Sequence, residues 1–323
     1  MLPRRSFMTA IAGLVLDARA GHAQPSGKPR VGWLTSSAIH ERNVEAFRRG
    51  MLALGYADVA IEFRAARGSL ERLPALAAEL VRTGVDVIVT DGGPALVAAK
   101  RATATIPIVA GATAGDLVRQ GVVQSLARPG GNITGFTIST GVELYGKRLE
   151  LLRDALPGLT RVAVLWNARN QISREALGPI GAAAESMRLA AHLVEVREPQ
   201  DIERAVASVA ARRADAVLTV ADAFFWSERV RIATLVNHQR LSAMYPEIEF
   251  VEAGGLLAYG PNVADNFRRA AGYVDRILKG TNPGVLPIEL PARLDLGVNL
   301  KTARALKVTI PPSLLLRADL VVE

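Results

Sequence analysis

Cysteine is absent from all 323 residues, which excludes a disulfide framework, thiolate metal sites, a cysteine nucleophile and lipid attachment through an N-terminal cysteine. Histidine is nearly as scarce. His22, His40, His192 and His238 share no helical or turn spacing, so no histidine-based metal site is expected. No run of five basic residues occurs, although Lys and Arg number 39 against 31 acids and the net charge is +8. With a pI of about 10.2 but no concentrated basic face, the chain is not expected to take a nucleic-acid partner. Long apolar runs are missing too: none free of charge reaches the roughly 18 residues of a membrane-spanning helix. Core material is ample, at 50% hydrophobic against 22% charged, which excludes wholesale disorder. At roughly 150 residues per domain the length suggests two domains.

The first 23 residues read as an export signal. Arg4-Arg5-Ser6-Phe7-Met8 is a twin-arginine n-region, the apolar stretch Met8 to Leu16 follows, and Gly21-His22-Ala23 supplies small residues for a cut before Gln24. The alternative for this stretch is a buried N-terminal helix. Loss of residues 1–23 removes three Arg and one Asp and lowers the net charge from +8 to +6. A soluble mature protein in the periplasm is expected, where a lack of cysteine is no handicap.

From Arg30 onward short apolar runs alternate with amphipathic segments. Val31-Gly32-Trp33-Leu34 reads as a strand, and Glu41 to Leu54 sets Val44, Phe47, Met51 and Leu54 on one helical face. Val59, Ile61 and Phe63 alternate as a half-exposed strand would. Leu73, Leu76, Ala77, Leu80 and Val81 form a second helical stripe, leading into the strand Asp86 to Thr90. Pro94 sits at a helix start, where its missing N–H does no harm. Ile106 to Val109 and Ile133 to Ile138 are the next strands. The order then repeats: Val162 to Trp166 follows the Val31 strand by 131 residues, and Asp215 to Thr219 follows the Asp86 strand by 129.

Apolar strands alternating with helices imply parallel sheets covered on both faces. The expected fold class is therefore α/β, two doubly wound parallel-sheet lobes joined by hinge crossings, with a cleft between them. Residues 30–135 plus about 264–286 are assigned to lobe 1, and 136–263 plus about 287–323 to lobe 2. Gly135 is the expected first crossing, because glycine absorbs φ/ψ changes. A helix from Ala264 to Lys279 is expected to return the chain to lobe 1, and Pro287 to Arg293 to cross back.

Enzyme motifs fail one by one. Gly141-Val142-Glu143-Leu144-Tyr145-Gly146-Lys147-Arg148 has phosphate-loop spacing until Arg148 replaces the hydroxyl that would hold magnesium. It reads instead as a helix beginning near Glu143 with a solvated Lys147-Arg148 pair. No G-x-G-x-x-G follows a candidate strand and no G-x-S-x-G elbow exists. His238 reads as a surface residue of an amphipathic helix. Asp222 alone among acids directly follows a lobe 2 strand, and one acid without a base makes a poor catalyst. No catalytic residue, metal or cofactor is expected.

Binding features remain. Ligands of doubly wound sheets lie beyond the carboxyl ends of the strands, near helix N-termini. Gly92-Gly93 either offers backbone N–H groups to an anionic or carbonyl group or makes a plain tight turn. Asp222, beside Phe224-Phe225-Trp226, either meets a ligand ammonium or caps a helix. Asp116 resembles a cap before Leu117. Tyr245 and Glu247 either reach the cleft or pack. The expected ligand contacts are Ser36, Ser37, Thr90, Gly92, Gly93 and Thr113 from lobe 1, giving hydroxyls and N–H groups. From lobe 2 they are Asn167, Asp222, Phe224, Tyr245 and Glu247.

Six stretches stand out together: Arg72 to Ala77, Arg128-Pro129-Gly130-Gly131-Asn132-Ile133-Thr134-Gly135, Lys147 to Leu152, Ala221 to Phe225, Glu249-Phe250-Val251-Glu252-Ala253-Gly254-Gly255-Leu256 and Val298 to Ala303. Through them the chain resembles the substrate-binding proteins of ABC transporters, in the family that includes tryptophan/tyrosine-type uptake systems. The resemblance covers essentially the whole chain from Arg30 onward. It implies a type I periplasmic-binding-protein fold closing on an amino acid or related small metabolite. It also implies delivery to a membrane permease with its ATPase and no enzymatic activity; a monomer is expected. Two departures bear on the ligand. The first-lobe loop is Thr90-Asp91-Gly92-Gly93-Pro94, with an acid where relatives often carry Thr-Gly-Gly-Thr-Pro. Glu247-Ile248 also stands where they tend to have Trp-Arg. A cationic or neutral ligand becomes conceivable in place of an aromatic amino acid. The alternatives are a periplasmic sensor feeding a signalling partner and a transferase with two Rossmann-like lobes.

Overall fold

The computed structural model describes residues 28–138 and 143–323, so the export signal expected over residues 1–23 lies outside the described residues. In chain order, lobe 1 begins with β1 (Arg30–Thr35), α1 (Glu41–Ala53), β2 (Ala60–Ala65), α2 (Leu73–Thr83), β3 (Val87–Asp91), α3 (Gly93–Ala102), β4 (Ile108–Ala112) and β5 (Ile133–Phe136). The chain continues through α4 (Glu143–Ala155), β6 (Arg161–Asn167), α5 (Gln171–Glu175), α6 (Leu177–Ser186), β7 (Ala190–Val196), α7 (Asp201–Ala211) and β8 (Ala216–Thr219). Next come α8 (Ala223–Ser227), α9 (Arg229–His238), β9 (Ser242–Tyr245), α10 (Glu249–Glu252), β10 (Leu257–Pro261) and α11 (Val263–Leu278). Last are β11 (Ile288–Glu289), β12 (Leu294–Asn299), α12 (Leu300–Leu306), α13 (Pro312–Leu315) and β13 (Leu320–Val322).

Two sheets result, as the repeated pattern predicts. The first runs β11-β5-β4-β3-β1-β2 with every pairing parallel. The second runs β13-β12-β10-β9-β8-β6-β7 and is parallel except where β12 pairs antiparallel with β10. The continuous apolar runs have a simple cause. Side chains alternate across a strand, and both faces of each sheet are covered. Val87 and Val89 of β3 enter the cluster around Trp33, Phe47 and Phe267, while Ile88 between them joins Leu73, Leu80 and Leu96 on the other face. In the second sheet Val162, Val164 and Leu218 enter one cluster, and Ala163, Leu165 and Val217 the other.

Three segments link the lobes. The first follows Phe136, the second lies at Asn262 between β10 and α11, and the third runs from Leu290 to Arg293 between β11 and β12. The second and third are tied together by Asn262 N–H donating to Arg293 O at 3.1 Å. Two expectations need correction. Ile288–Glu289 pairs with Gly135 and Phe136, so the returning lobe 1 segment extends beyond residue 286. Gly135 is also a strand residue rather than a crossing. Its φ of +129° and a Cβ that would stand 2.2 Å from Ala110 O demand glycine for close strand approach. Helix α11 is held in lobe 1 by Phe267, stacked on Trp33 with centroids 4.7 Å apart. Tyr273 Oη also donates to Pro287 O at 2.9 Å. Burying such an aromatic contributes about 1.5–3 kcal/mol.

Candidate ligand-binding site

The carboxyl ends of both sheets face a single cleft, and contacts across it hold the lobes together. His40, between β1 and α1, stacks on Trp226 of α8 with ring centroids 3.3 Å apart and planes inclined by 29°. Ala38 N–H reaches Ser227 Oγ at 3.4 Å, Arg42 pairs with Glu252 at 3.1 Å, and Gln120 Nε2 donates to Glu175 at 3.1 Å. These contacts draw the lobes together over a cavity between them.

Lobe 1 supplies Asp91 at the end of β3, Gly92 and Gly93 at the start of α3, Thr113 after β4, and His40 with Asn43. Gly92 turns from strand to helix with a φ of +96°, and a Cβ there would lie 2.8 Å from Ser36 Oγ. His40 Nε2 lies 2.7 Å from Ser37 Oγ. His40 Nδ1 lies 3.1 Å from Asn43 Nδ2 and 3.2 Å from Asp91 Oδ2. Burial, helped by the charge of Arg229, lowers the His40 pKa to about 3 and keeps the ring neutral. Burial also raises the Asp91 carboxyl to about 7, against a hydrogen bond from Asn43 and with some help from Glu249.

Lobe 2 supplies Asp222 before α8, Glu247 after β9, Glu249, Trp226, Asn170 and Ile172. Asp222 both caps and lines. Its Oδ1 accepts the Phe224 N–H at 2.8 Å, and its Oδ2 accepts Asn170 Nδ2 at 2.8 Å. Asn167 Nδ2 reaches both oxygens at 3.2 Å. Asn170 in turn caps α5 through Ile172 N–H at 3.1 Å, which sets Ile172 into the wall. Burial raises the Asp222 pKa despite these donors. Glu247 is raised to about 8, first by burial and then by Glu249, with Arg148 pulling the other way. Among the described residues no hydrogen bond reaches Glu247 Oε2 or Thr113 Oγ1, and both atoms are buried.

Of the expected contacts, Gly92, Gly93, Thr113, Asp222 and Glu247 line the cavity, and the others stand behind its wall. Ser36 Oγ accepts the Ala95 N–H at 3.1 Å and so serves α3, Ser37 is occupied by His40, and Thr90 is buried within β3. The lobe 1 hydroxyls of Ser36 and Ser37 therefore support local structure and do not reach the cavity. Asn167 positions Asp222. Phe224 and Tyr245 belong to the lobe 2 core, where Tyr245 stacks on Phe250 at 4.7 Å, and Trp226 supplies the aromatic wall instead. Asp116 does accept local N–H groups, from Arg119 at 2.9 Å. Arg148 corrects the reading of a solvated pair. Only 1% exposed, it donates to Tyr259 O at 2.7 Å and Pro246 O at 3.2 Å, while Lys147 stays outside with Glu150.

His40, Asn43, Asn170, Ile172, Trp226 and Glu249 were not among the expected contacts. His40 and Asn170 lie only a few residues beyond the strand-end loops at Ser37 and Asn167, so a wider window after each strand would have reached them.

A family model described as ABC transporter substrate binding protein matches residues 36–322. The chain belongs to this family. Its members are solute-binding proteins, not enzymes, and act outside the cytoplasm. Among the described residues no helix is long and apolar enough to cross a membrane. A tyrosine-binding protein of Clostridioides difficile is 23% identical over 278 residues, 84% of this chain and 79% of that protein. A Streptococcus pneumoniae ABC domain in complex with L-Trp superposes with a TM-score of 0.85 at 23% identity, covering 92% of this chain and 100% of that one. The ligand-free, open form of a Clostridium difficile substrate-binding protein gives 0.67 at 21% identity, covering 91% and 99%. The likeness to these structures establishes the fold of two α/β lobes.

Proposed function

We propose that the chain is the exported receptor of an ABC importer, closing on an amino acid or related small metabolite and delivering it to a membrane permease and its ATPase. The observation that carries this reading is the cavity between the lobes, where Thr113 Oγ1 and Glu247 Oε2 are buried without a partner among the described residues. An unpaired buried polar group costs about 1–3 kcal/mol, so two of them around one space favour a ligand that pairs them. Export through the signal of residues 1–23 supports a periplasmic location. The test is native mass spectrometry of freshly purified protein, followed by X-ray scattering before and after the solute is stripped. A retained metabolite and an increase in radius of gyration on stripping are expected. Absence of any solute, with no change in scattering on adding an amino-acid panel, defeats the reading. Fractionation of the native host is expected to find a mature form beginning near Gln24, with export reduced when Arg4 and Arg5 become Lys.

A further inference from the structure

We propose that the cleft selects a small organic cation, a diamine or a basic amino acid carrying more positive than negative charge, an inference that rests on the receptor reading above. Four carboxyl groups line the cavity, Asp91 from lobe 1 and Asp222, Glu247 and Glu249 from lobe 2, and among the described residues no Lys or Arg lines it. That wall is the reverse of the whole chain, whose net charge is +8. A single ligand carboxylate can be met by the start of α3 at Gly93, which lines the cavity, whereas four carboxyl groups favour a ligand with more positive than negative charge.

The neighbouring cations have protein partners; Arg119 and Arg148 line the adjoining part of the cleft beyond Glu247, Arg119 lying 3.4 Å from Glu175. Arg42 sits toward the exposed rim, 3.8 Å from Glu249 and 3.1 Å from Glu252. Arg229 lies 3.8 Å from the Trp226 ring centre and donates to Trp226 O at 3.0 Å. Arg148 donates to the carbonyls of Tyr259 and Pro246, and His40 is neutral. None of them hydrogen-bonds Glu247 Oε2.

A second, independent observation points to a polar ligand in this space. Thr113 is wholly buried, lines the cavity, and its Oγ1 has no partner among the described residues. Its hydroxyl can donate or accept, while a Glu247 carboxylate oxygen accepts what an ammonium group donates. Among the described residues no three His, Cys, Asp or Glu side chains converge closely enough to hold a metal ion. The carboxyls thus suit an extended organic cation rather than a single ion. With Asp91 raised to about 7 and Glu247 to about 8, the empty cavity holds protons that an arriving ammonium displaces.

The experiment is calorimetric titration of the solute-free protein with putrescine, L-arginine, L-lysine, L-tryptophan and L-tyrosine. It is run at pH 6.5 and 8, in buffers of different ionisation enthalpy. At least one of the three cations is expected to bind tenfold or more tightly than either aromatic amino acid, more tightly at pH 8, and with release of protons. Glu247→Gln is expected to weaken that cation tenfold or more. Should Glu247→Gln not fold, proton release and pH dependence on the unaltered chain decide. Tighter binding of tryptophan or tyrosine than of every cation, or a retained solute that is neutral or anionic, overturns the cation inference and leaves the receptor reading intact. Binding of none of the five, with no retained solute, overturns both.

Discussion

Replacing Asp222 with Ala tests how the lobe 2 wall is held. The carboxylate closes a knot of three donors: Phe224 N–H at 2.8 Å, Asn170 Nδ2 at 2.8 Å and Asn167 Nδ2 at 3.2 Å. Removing a helix cap costs about 0.5–2 kcal/mol. Each buried donor left unpaired adds about 1–3 kcal/mol. Two reliefs work against these losses: the asparagine amides can turn toward cavity water, and a desolvated carboxyl with a raised pKa disappears. A net loss of about 2–4 kcal/mol is expected, which lowers the melting temperature of the unliganded protein by about 4–12 °C. Asp222→Asn keeps one oxygen for the Phe224 N–H but turns an amide toward the Asn170 amide, so about half that loss is expected. Calorimetric melting of the solute-free protein and both variants measures this. An Asp222→Ala variant melting within about 1 °C of the parent would show that the knot is decorative and refute the reasoning.

Other consequences follow from the same geometry. Asp91 and Glu247, raised to about 7 and about 8, keep protons in the folded state that the unfolded chain has already lost. Unliganded stability is therefore expected to fall by about 2–3 kcal/mol from pH 6.5 to 8.5 and to level off above. Urea melts across that range check it, and a flat or rising curve contradicts it. Gly135→Ala, with φ at +129° and its Cβ 2.2 Å from Ala110 O, is expected to force β4 and β5 apart at a loss of about 3 kcal/mol or more. A soluble variant with the parent melting temperature would be inconsistent with that contact. Trp226→Ala removes the stack on His40 and is expected to enlarge the radius of gyration of the solute-free protein in X-ray scattering. An unchanged radius would mean that the stack does not hold the lobes together.

The sequence by itself determined the two-lobe α/β architecture, because both sheets are covered on both faces. Runs such as Val87-Ile88-Val89 must then be apolar throughout, and that signal is local. The near-constant offset between the Val31 and Val162 strands exposed the duplication for the same reason. Legible too were the loops that lead into the site, since strand carboxyl ends and helix starts are written in local pattern and in residues such as Gly92 and Asp222.

Which side chain of a loop faces the cleft was not legible. Ser36 and Ser37 turn inward to serve α3 and His40, and Phe224 and Tyr245 turn into the lobe 2 core. One residue of shift reverses a side chain's direction, and only packing fixes that choice. The burial of Arg148 was equally hidden, because its carbonyl acceptors at Pro246 and Tyr259 lie about a hundred residues further along the chain. Only the tertiary structure brings Asp91 of one lobe together with Asp222, Glu247 and Glu249 of the other, and closes His40 on Trp226. The charge of a site assembled from both lobes depends on their closure, and no local stretch of sequence records it.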